Sequence, residues 1–191
     1  MKLLTKNYWK KSLTELKSVK VLVIASIFIA LKIAISSIYI PIPNIGTQRI
    51  YFSFIVTSLG CAIYGPIVGA LSGLVGDILG YLIFPQGAFF IGYTITAIVS
   101  GFIYGIFFYK TKVTLLNISI CKFLINMLLN VVLNGLWDSI LIGSNYFALV
   151  ISRIPKNLIM LPIEIFIMYI LFKRVIPILE KRNIINYDLN V

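Results

Sequence analysis

Long apolar runs, broken by short polar or proline- and glycine-bearing stretches, dominate this chain. Six apolar segments can be drawn, at about 21–39, 50–64, 67–84, 89–109, 113–142 and 146–176. Pro41 and Pro43 end the first, Gly65-Pro66 ends the second and Pro85 the third, while Pro155 and Pro162 fall inside the sixth. A membrane-spanning helix needs roughly 20 residues, with a range of about 17–25. The second and third segments are short and must tilt or extend into their flanks; the fifth and sixth are long enough to protrude. The pattern predicts an all-α integral membrane protein, six transmembrane helices in one compact domain over residues 1–191. A basic segment, 1–20, precedes the spans, and a tail, 177–191, follows them.

The fifth segment carries an anomaly. Lys122, Asn126, Asn130, Asn134 and Asp138 recur every four residues among Leu, Ile, Val, Met and Phe. On an α-helix such spacing gives one slowly drifting stripe. Facing lipid, unsatisfied amides and charges have no water to bond. The stripe is therefore expected to face a protein interior or a wet cavity, and intramembrane polar groups of this kind mark a binding site.

Composition agrees with the membrane reading. The 191 residues are 60% hydrophobic and only 12% charged, whereas soluble domains carry about 25% charge. The net charge of +11 does not point to nucleic acid, because most cations sit in the tails and one short loop. Twelve of them, from Lys2 to Lys20, at Lys110 and Lys112, and from Lys173 to Arg182, fall on one side of a six-span topology. Only Arg49, Arg153 and Lys156 fall on the other, so both termini are predicted to be cytoplasmic. Residues 1–20 are too polar for a cleaved signal peptide, so the first span is expected to remain as an anchor. Cys61 and Cys121 lie within apolar segments and read as small buried hydrophobes.

Gly65, Gly69 and Gly73, then Gly76 and Gly80, and Ala97, Gly101 and Gly105 follow the spacing that lets helices approach closely in lipid. The carboxylates within spans, Asp77, Asp138 and Glu164, suit either internal ion pairs with such cations as Lys32 and Lys122 or a proton relay. No His is present, and there is no HExxH, GxSxG, CxxC or phosphate-loop motif. No catalytic set, metal site, cofactor or ATPase function is expected of this chain.

The outward side is more informative. Arg49, Arg153 and Lys156 run against the charge bias that sets topology, and an anionic ligand entering from outside gives them a purpose. Between the third and fourth segments Phe84, Phe89, Phe90 and Tyr93 cluster around Gly87 and Gly92. That density exceeds an interfacial belt and suits stacking on a flat heterocycle.

These residues carry a resemblance. FPQGAFFIGYTIT, residues 84–96, resembles the FPxGxFFPGFTLS motif of folate-specific S components of energy-coupling factor (ECF) transporters. QRIYFSFI at 48–55 resembles their RIxFxFI segment. GPIVGALSGLVGDILG at 65–80, LNGLW at 133–137 and RIPKNLIMLPIE at 153–164 are also similar, in the same order. Ile91 stands where the motif has Pro and Tyr93 where it has Phe; the ring is kept and the proline constraint is lost.

The resemblance implies a small high-affinity binding subunit of six helices around an outward-opening pocket. Such subunits dock on a shared transmembrane coupling protein driven by two ABC-type ATPases, through an AxxxA face that Ala30 and Ala34 match. Asn126, Asn130 and Asn134 are then candidates for hydrogen bonds to a pterin, and Phe89, Phe90, Tyr93 and Trp137 for stacking. Arg49, Arg153 and Lys156 are candidates for the glutamate carboxylates of folate. Two alternatives stand beside this reading. One is an S component for riboflavin, which is uncharged, or thiamine, whose cationic ring suits outer arginines poorly. The other is a stand-alone proton-coupled carrier using Asp77 and Glu164, although residues 1–95 and 96–191 show no inverted repeat.

Overall fold

The structure, a computed structural model, describes residues 6–41, 48–85 and 87–181. Pro43, Gln86 and the tail beyond Lys181 lie outside the described residues. The helices are α1 (Lys6–Glu15), α2 (Val19–Ser36), α3 (Ser53–Ile83), α4 (Ile91–Phe108), α5 (Leu115–Leu124), α6 (Asn134–Ile142) and α7 (Tyr146–Lys181). A π-helical stretch, Ile125–Leu133, joins α5 to α6. Between α2 and α3 lie two short strands, β1 (Tyr39–Pro41) and β2 (Arg49–Tyr51). They pair antiparallel with Tyr39 opposite Tyr51 and Pro41 opposite Arg49.

Val19–Ser36, Ser53–Ile83, Ile91–Phe108 and Leu115–Ile142 are each long and apolar enough to cross a membrane. α7, at 36 residues, also exceeds the roughly 20 a span needs. α3 is two spans rather than one. Gly65 sits at φ 83° and ψ 179° with Pro66 next to it, a backbone that glycine adopts freely and no helix continues through. A Cβ built on Gly69 would lie 2.9 Å from Cys61 Sγ, although eight residues of straight helix span about 12 Å. The chain thus folds back at Gly65 into two arms, 53–64 and 66–83, giving the six spans expected and an all-α membrane bundle.

The glycine stripes decide which spans touch. A Cβ on Gly69 would come within 2.7 Å of the Gly101 carbonyl oxygen, and Gly73 meets Ala97 while Gly105 meets Pro66. The second arm of α3 and α4 therefore pack backbone to backbone, as small residues allow. Gly76 and Gly80 turn to the other side, against Lys32 and Ile33 of α2. The cytoplasmic half is a solid core. Phe108 packs on Phe172 with ring centroids 4.8 Å apart, surrounded by buried Tyr64, Tyr104, Ile118 and Met168. Cys61 and Cys121 are buried and free.

The basic stretch 1–20 is not simply a tail. It contains α1, which lies over the Gly65-Pro66 turn of α3 and the C-terminal end of α4. Ser12 is fully buried and accepts a hydrogen bond from Ile67 N at 3.4 Å. Trp9 stacks on Phe102 at 5.9 Å, and the Tyr109 hydroxyl donates to Glu15 at 2.7 Å. Burial pushes the Tyr8 phenol up to about 12, so it stays neutral and donates to the Gly105 carbonyl at 3.5 Å. At the other end the C-terminal tail begins later than expected, because α7 continues to Lys181.

Candidate functional site

A cavity of about 730 Å³ occupies the outer half of the bundle, within the roughly 300–1,000 Å³ usual for small-molecule sites. The end of α2, strand β2, Phe84, residues 87–90 and the outer ends of α6 and α7 form its mouth. Its floor is Tyr104, Lys122 and Glu164.

The polar stripe makes one wall. Lys122, Asn130, Asn134 and Asp138 line the cavity, but Asn126 does not: it is fully buried between its own helix and α7. Lys122 Nζ lies 3.0 Å from Glu164 Oε2 and 4.5 Å over the Phe54 ring, and it donates to the Tyr104 hydroxyl at 3.5 Å. The Asn126 amide donates to the same Glu164 oxygen at 2.7 Å, and Asn130 donates to Asn126 Oδ1 at 3.3 Å. The helix beneath this wall is not α-helical. Over residues 125–133 it widens, and the Asn134 N–H reaches the Leu129 carbonyl five residues back. Such stretches collect at functional sites, and here the widened backbone offers the Asn130 carbonyl to Arg153 Nη1 at 3.1 Å.

Near the mouth stands a second buried ion pair. Arg153 Nη2 binds Asp138 Oδ2, and the Tyr93 hydroxyl donates to the other carboxylate oxygen. One carboxylate on α6 thereby ties together α4, α6 and α7. Arg153 is 9% exposed and Asp138 5%, so its guanidinium is committed to the wall. Asp77 accepts from Thr94 at 2.7 Å. All three intramembrane carboxylates thus have named partners within the bundle.

The rim places the remaining predicted residues. Arg49 on β2 lies over the Tyr39 ring, 4.4 Å from its centroid. Lys156 donates to the Arg49 carbonyl at 2.9 Å, and Gln48 Nε2 donates to the Ser152 carbonyl at 3.3 Å. Pro155 denies the Ile151 carbonyl its usual helical donor, and the neighbouring Ser152 carbonyl is the one that receives Gln48. These two bonds fasten β2 to α7. Phe89, Phe90 and Tyr93 line the cavity. Trp137 stands behind them: its indole donates to Thr96 at 2.9 Å, and its ring packs on Phe90 at 5.9 Å. Gly92 makes that packing possible, since a Cβ there would fall 2.5 Å from both Phe90 and Trp137. Ala30 and Ala34 are far from this site in role, exposed on the outer face of α2.

Of the residues expected to bind, Arg49, Phe89, Phe90, Tyr93, Asn130, Asn134, Arg153 and Lys156 are brought to one cavity, whereas Asn126 and Trp137 support it from behind. Sequence reasoning overlooked Gln48 and Asn157. The first is next to Arg49, and the second lies four residues after Arg153, to whose carbonyl it donates at 2.9 Å. The lining holds five cations, Lys32, Arg49, Lys122, Arg153 and Lys156, against Asp77, Asp138 and Glu164, an excess of two positive charges. Among the described residues no group of acidic, Cys or His side chains is arranged to hold a metal.

Residues 20–172 match the family described as ECF transporter, substrate-specific component. The chain is 35% identical over 163 residues to the folate transporter FolT of Clostridium novyi (strain NT), covering 84% of this chain and 92% of that one. It is 32% identical over 136 residues to FolT of Leuconostoc mesenteroides subsp. mesenteroides, covering 67% and 74%. It is similar in structure to the crystal structure of FolT bound with folic acid, with a TM-score of 0.73, 31% identity, and coverage of 80% of this chain and 92% of that chain.

Proposed function

Because the chain belongs to the ECF transporter substrate-specific components, we propose that it captures folate from outside and presents it for ATP-driven uptake. It is a multi-pass membrane protein and a transport subunit, not an enzyme. Residues 1–191 act as a single six-helix domain. The energy comes from partners, a transmembrane coupling protein and two ABC-type ATPases, which meet the exposed Ala30–Ala34 face of α2.

The observation that carries this reading is the cavity. Its aromatic mouth suits a flat ring, its amide wall suits a hydrogen-bonding heterocycle, and its charge excess of two suits a dianionic tail. Arg49 and Lys156 supply that excess once Lys122 is set against Glu164, Arg153 against Asp138 and Lys32 against Asp77. Riboflavin, which is uncharged, would gain nothing from the positive rim, and thiamine would be repelled by it. A proton carrier built on Asp77 and Glu164 needs both at liberty to titrate, whereas Glu164 is engaged in an ion pair with Lys122 and Asp77 accepts from Thr94.

The test is calorimetric titration of the purified chain in detergent, without partners. Folic acid is expected to bind with one-to-one stoichiometry, and pteroate, which lacks the glutamate, more weakly. Failure to bind folic acid, or folate accumulation by proteoliposomes holding this chain alone, would overturn the reading.

A further inference from the structure

α1 meets the bundle along one side and presents a different chemistry on each of the other two. Ten residues, Lys6–Glu15, form the helix, and successive side chains turn by about 100°. Tyr8, Ser12 and Glu15 fall in one sector and bond to the Gly105 carbonyl, Ile67 N and the Tyr109 hydroxyl respectively. Trp9 and Leu13 stand beside that sector, about 100–135° round the helix. Lys17 and Lys10 come about 40–60° further on. Lys17 keeps this place because its N–H bonds to the Thr14 carbonyl at 3.0 Å and continues the last turn. Leu13 is 52% exposed, and Lys10 and Lys17 are exposed beside it. Neither lysine side chain has an ion-pair or hydrogen-bond partner among the described residues.

Trp9 sets the depth of this edge. Its ring stacks on Phe102 at 5.9 Å, and Phe102 lies six residues inside the C-terminal end of the span Ile91–Phe108. Six residues of helix rise about 9 Å. Interfacial helices bury their apolar face about 5–10 Å into the boundary of headgroups and acyl chains, so Trp9 reaches that zone. An edge at such depth is met by lipid rather than by a soluble partner. Acyl chains cover Leu13 and Trp9, while the lysine stems run along them and carry their charges to the phosphates. Charge decides which lipid. Residues 1–20 hold six lysines and a single acid, Glu15, which attracts an anionic headgroup and offers a zwitterionic one little.

We propose that α1 is an interfacial helix, with Trp9 and Leu13 set in the cytoplasmic leaflet and Lys10 and Lys17 holding the headgroups of anionic phospholipids. Because α1 is bonded to the turn of α3 and the end of α4, the lipids so held fix the inner end of the bundle at the membrane surface. The proposal is independent of what the cavity binds.

Trp9 is its own reporter, since Trp137 is the only other tryptophan. The whole chain carrying Trp137→Phe is placed in nanodiscs of phosphatidylcholine with a minor share of phosphatidylglycerol, with bromine on the acyl chains of one lipid or the other. Quenching by the brominated phosphatidylglycerol is expected to report its enrichment around Trp9 by about fivefold over the bulk share, fading at high salt. Lys10→Gln/Lys17→Gln should return the quenching to the bulk share, whereas Lys10→Arg/Lys17→Arg, which keeps the charge, should preserve the enrichment. Both lysines are exposed, so the melting temperature should hold in these variants. If Trp137→Phe does not fold, the difference between the unaltered chain and Trp9→Phe gives the same signal. Equal quenching by the two lipids would show an edge in the membrane without headgroup selection, and would overturn the proposal. Quenching by neither would put the outer sides of α1 in water, facing an acidic protein instead, and would defeat it as well. An enrichment that survives Lys10→Gln/Lys17→Gln would assign the headgroups to other cations, such as Lys112, and refute the role given to this helix.

Discussion

Replacing Arg153 by Ala tests whether the mouth of the cavity is held by its ion pair. The substitution strands Asp138, 5% exposed, with the Tyr93 hydroxyl as its remaining donor. Breaking a buried ion pair from one side destabilises by about 3–5 kcal/mol. The lost bond to the Asn130 carbonyl adds about 0.5–1.5 kcal/mol, and the surviving Tyr93 contact offsets some of it. For a chain of this size each kcal/mol moves the melting temperature by about 2–4 °C, so the variant should melt roughly 10 °C lower. The double variant Arg153→Met/Asp138→Leu removes both charges together. Exchange of a buried pair for apolar groups is often neutral or stabilising, so most of the loss should return. Thermal unfolding in detergent reads the stability, and titration with folic acid reads the function. Since the pair contributes no net charge, the double variant should keep folate affinity within about tenfold. A single variant that melts like wild type, or a double variant no better than the single, would refute the reasoning. A double variant that folds well yet loses all affinity would show that Arg153 holds the ligand anion directly.

Three further outcomes follow from named contacts. Arg49→Leu and Lys156→Met should each weaken folate binding by about 1.5–3 kcal/mol, measured by titration, while pteroate binding stays nearly unchanged. Gly101→Leu forces a side chain against the Gly69 backbone, where the helices already touch, and should abolish a monodisperse peak in size-exclusion chromatography; an unaltered peak would mean that α3 and α4 are not in close contact. Ala30→Trp adds bulk to the exposed face of α2 and should leave folate titration unaltered but stop uptake in cells that hold the coupling partners.

Much of the bundle was legible because lipid imposes a length and an apolar composition on each span. Even the short second and third segments read correctly: Gly65-Pro66 signals a break, and the structure reverses there. The glycine spacings marked faces of close approach, and the structure pairs the stripe of 69 and 73 with that of 97 and 101. The four-residue polar stripe was visible too, but its geometry was not. On a regular α-helix each four-residue step drifts by about 40°, about 160° from Lys122 to Asp138, whereas the wider turn of the π-helical stretch lessens that drift, and Asn126 packs against Glu164 instead of lining the cavity. Nothing in the letters INMLLNVVL announces five-residue bonding. Arg153 was noticed for its charge on the unexpected side, yet its commitment to Asp138 depends on how α6 and α7 face each other. α1 was missed because its apolar content is low. Its signal was a weaker one, Tyr8, Ser12 and Glu15 on one side of a basic stretch, all three drawn onto the bundle.

The packed inner half has a mechanical corollary. Phe108, Phe172, Tyr64 and Met168 fill the space beneath the Lys122–Glu164 floor, and α1 covers the turn of α3 and the end of α4 below them. Among the described residues the cavity is a cup that opens at the rim, with packed side chains beneath its floor. On the proposed folate reading cargo would leave by the rim through which it came, and partners that drive its release would turn or reopen the vessel rather than bore a hole through it.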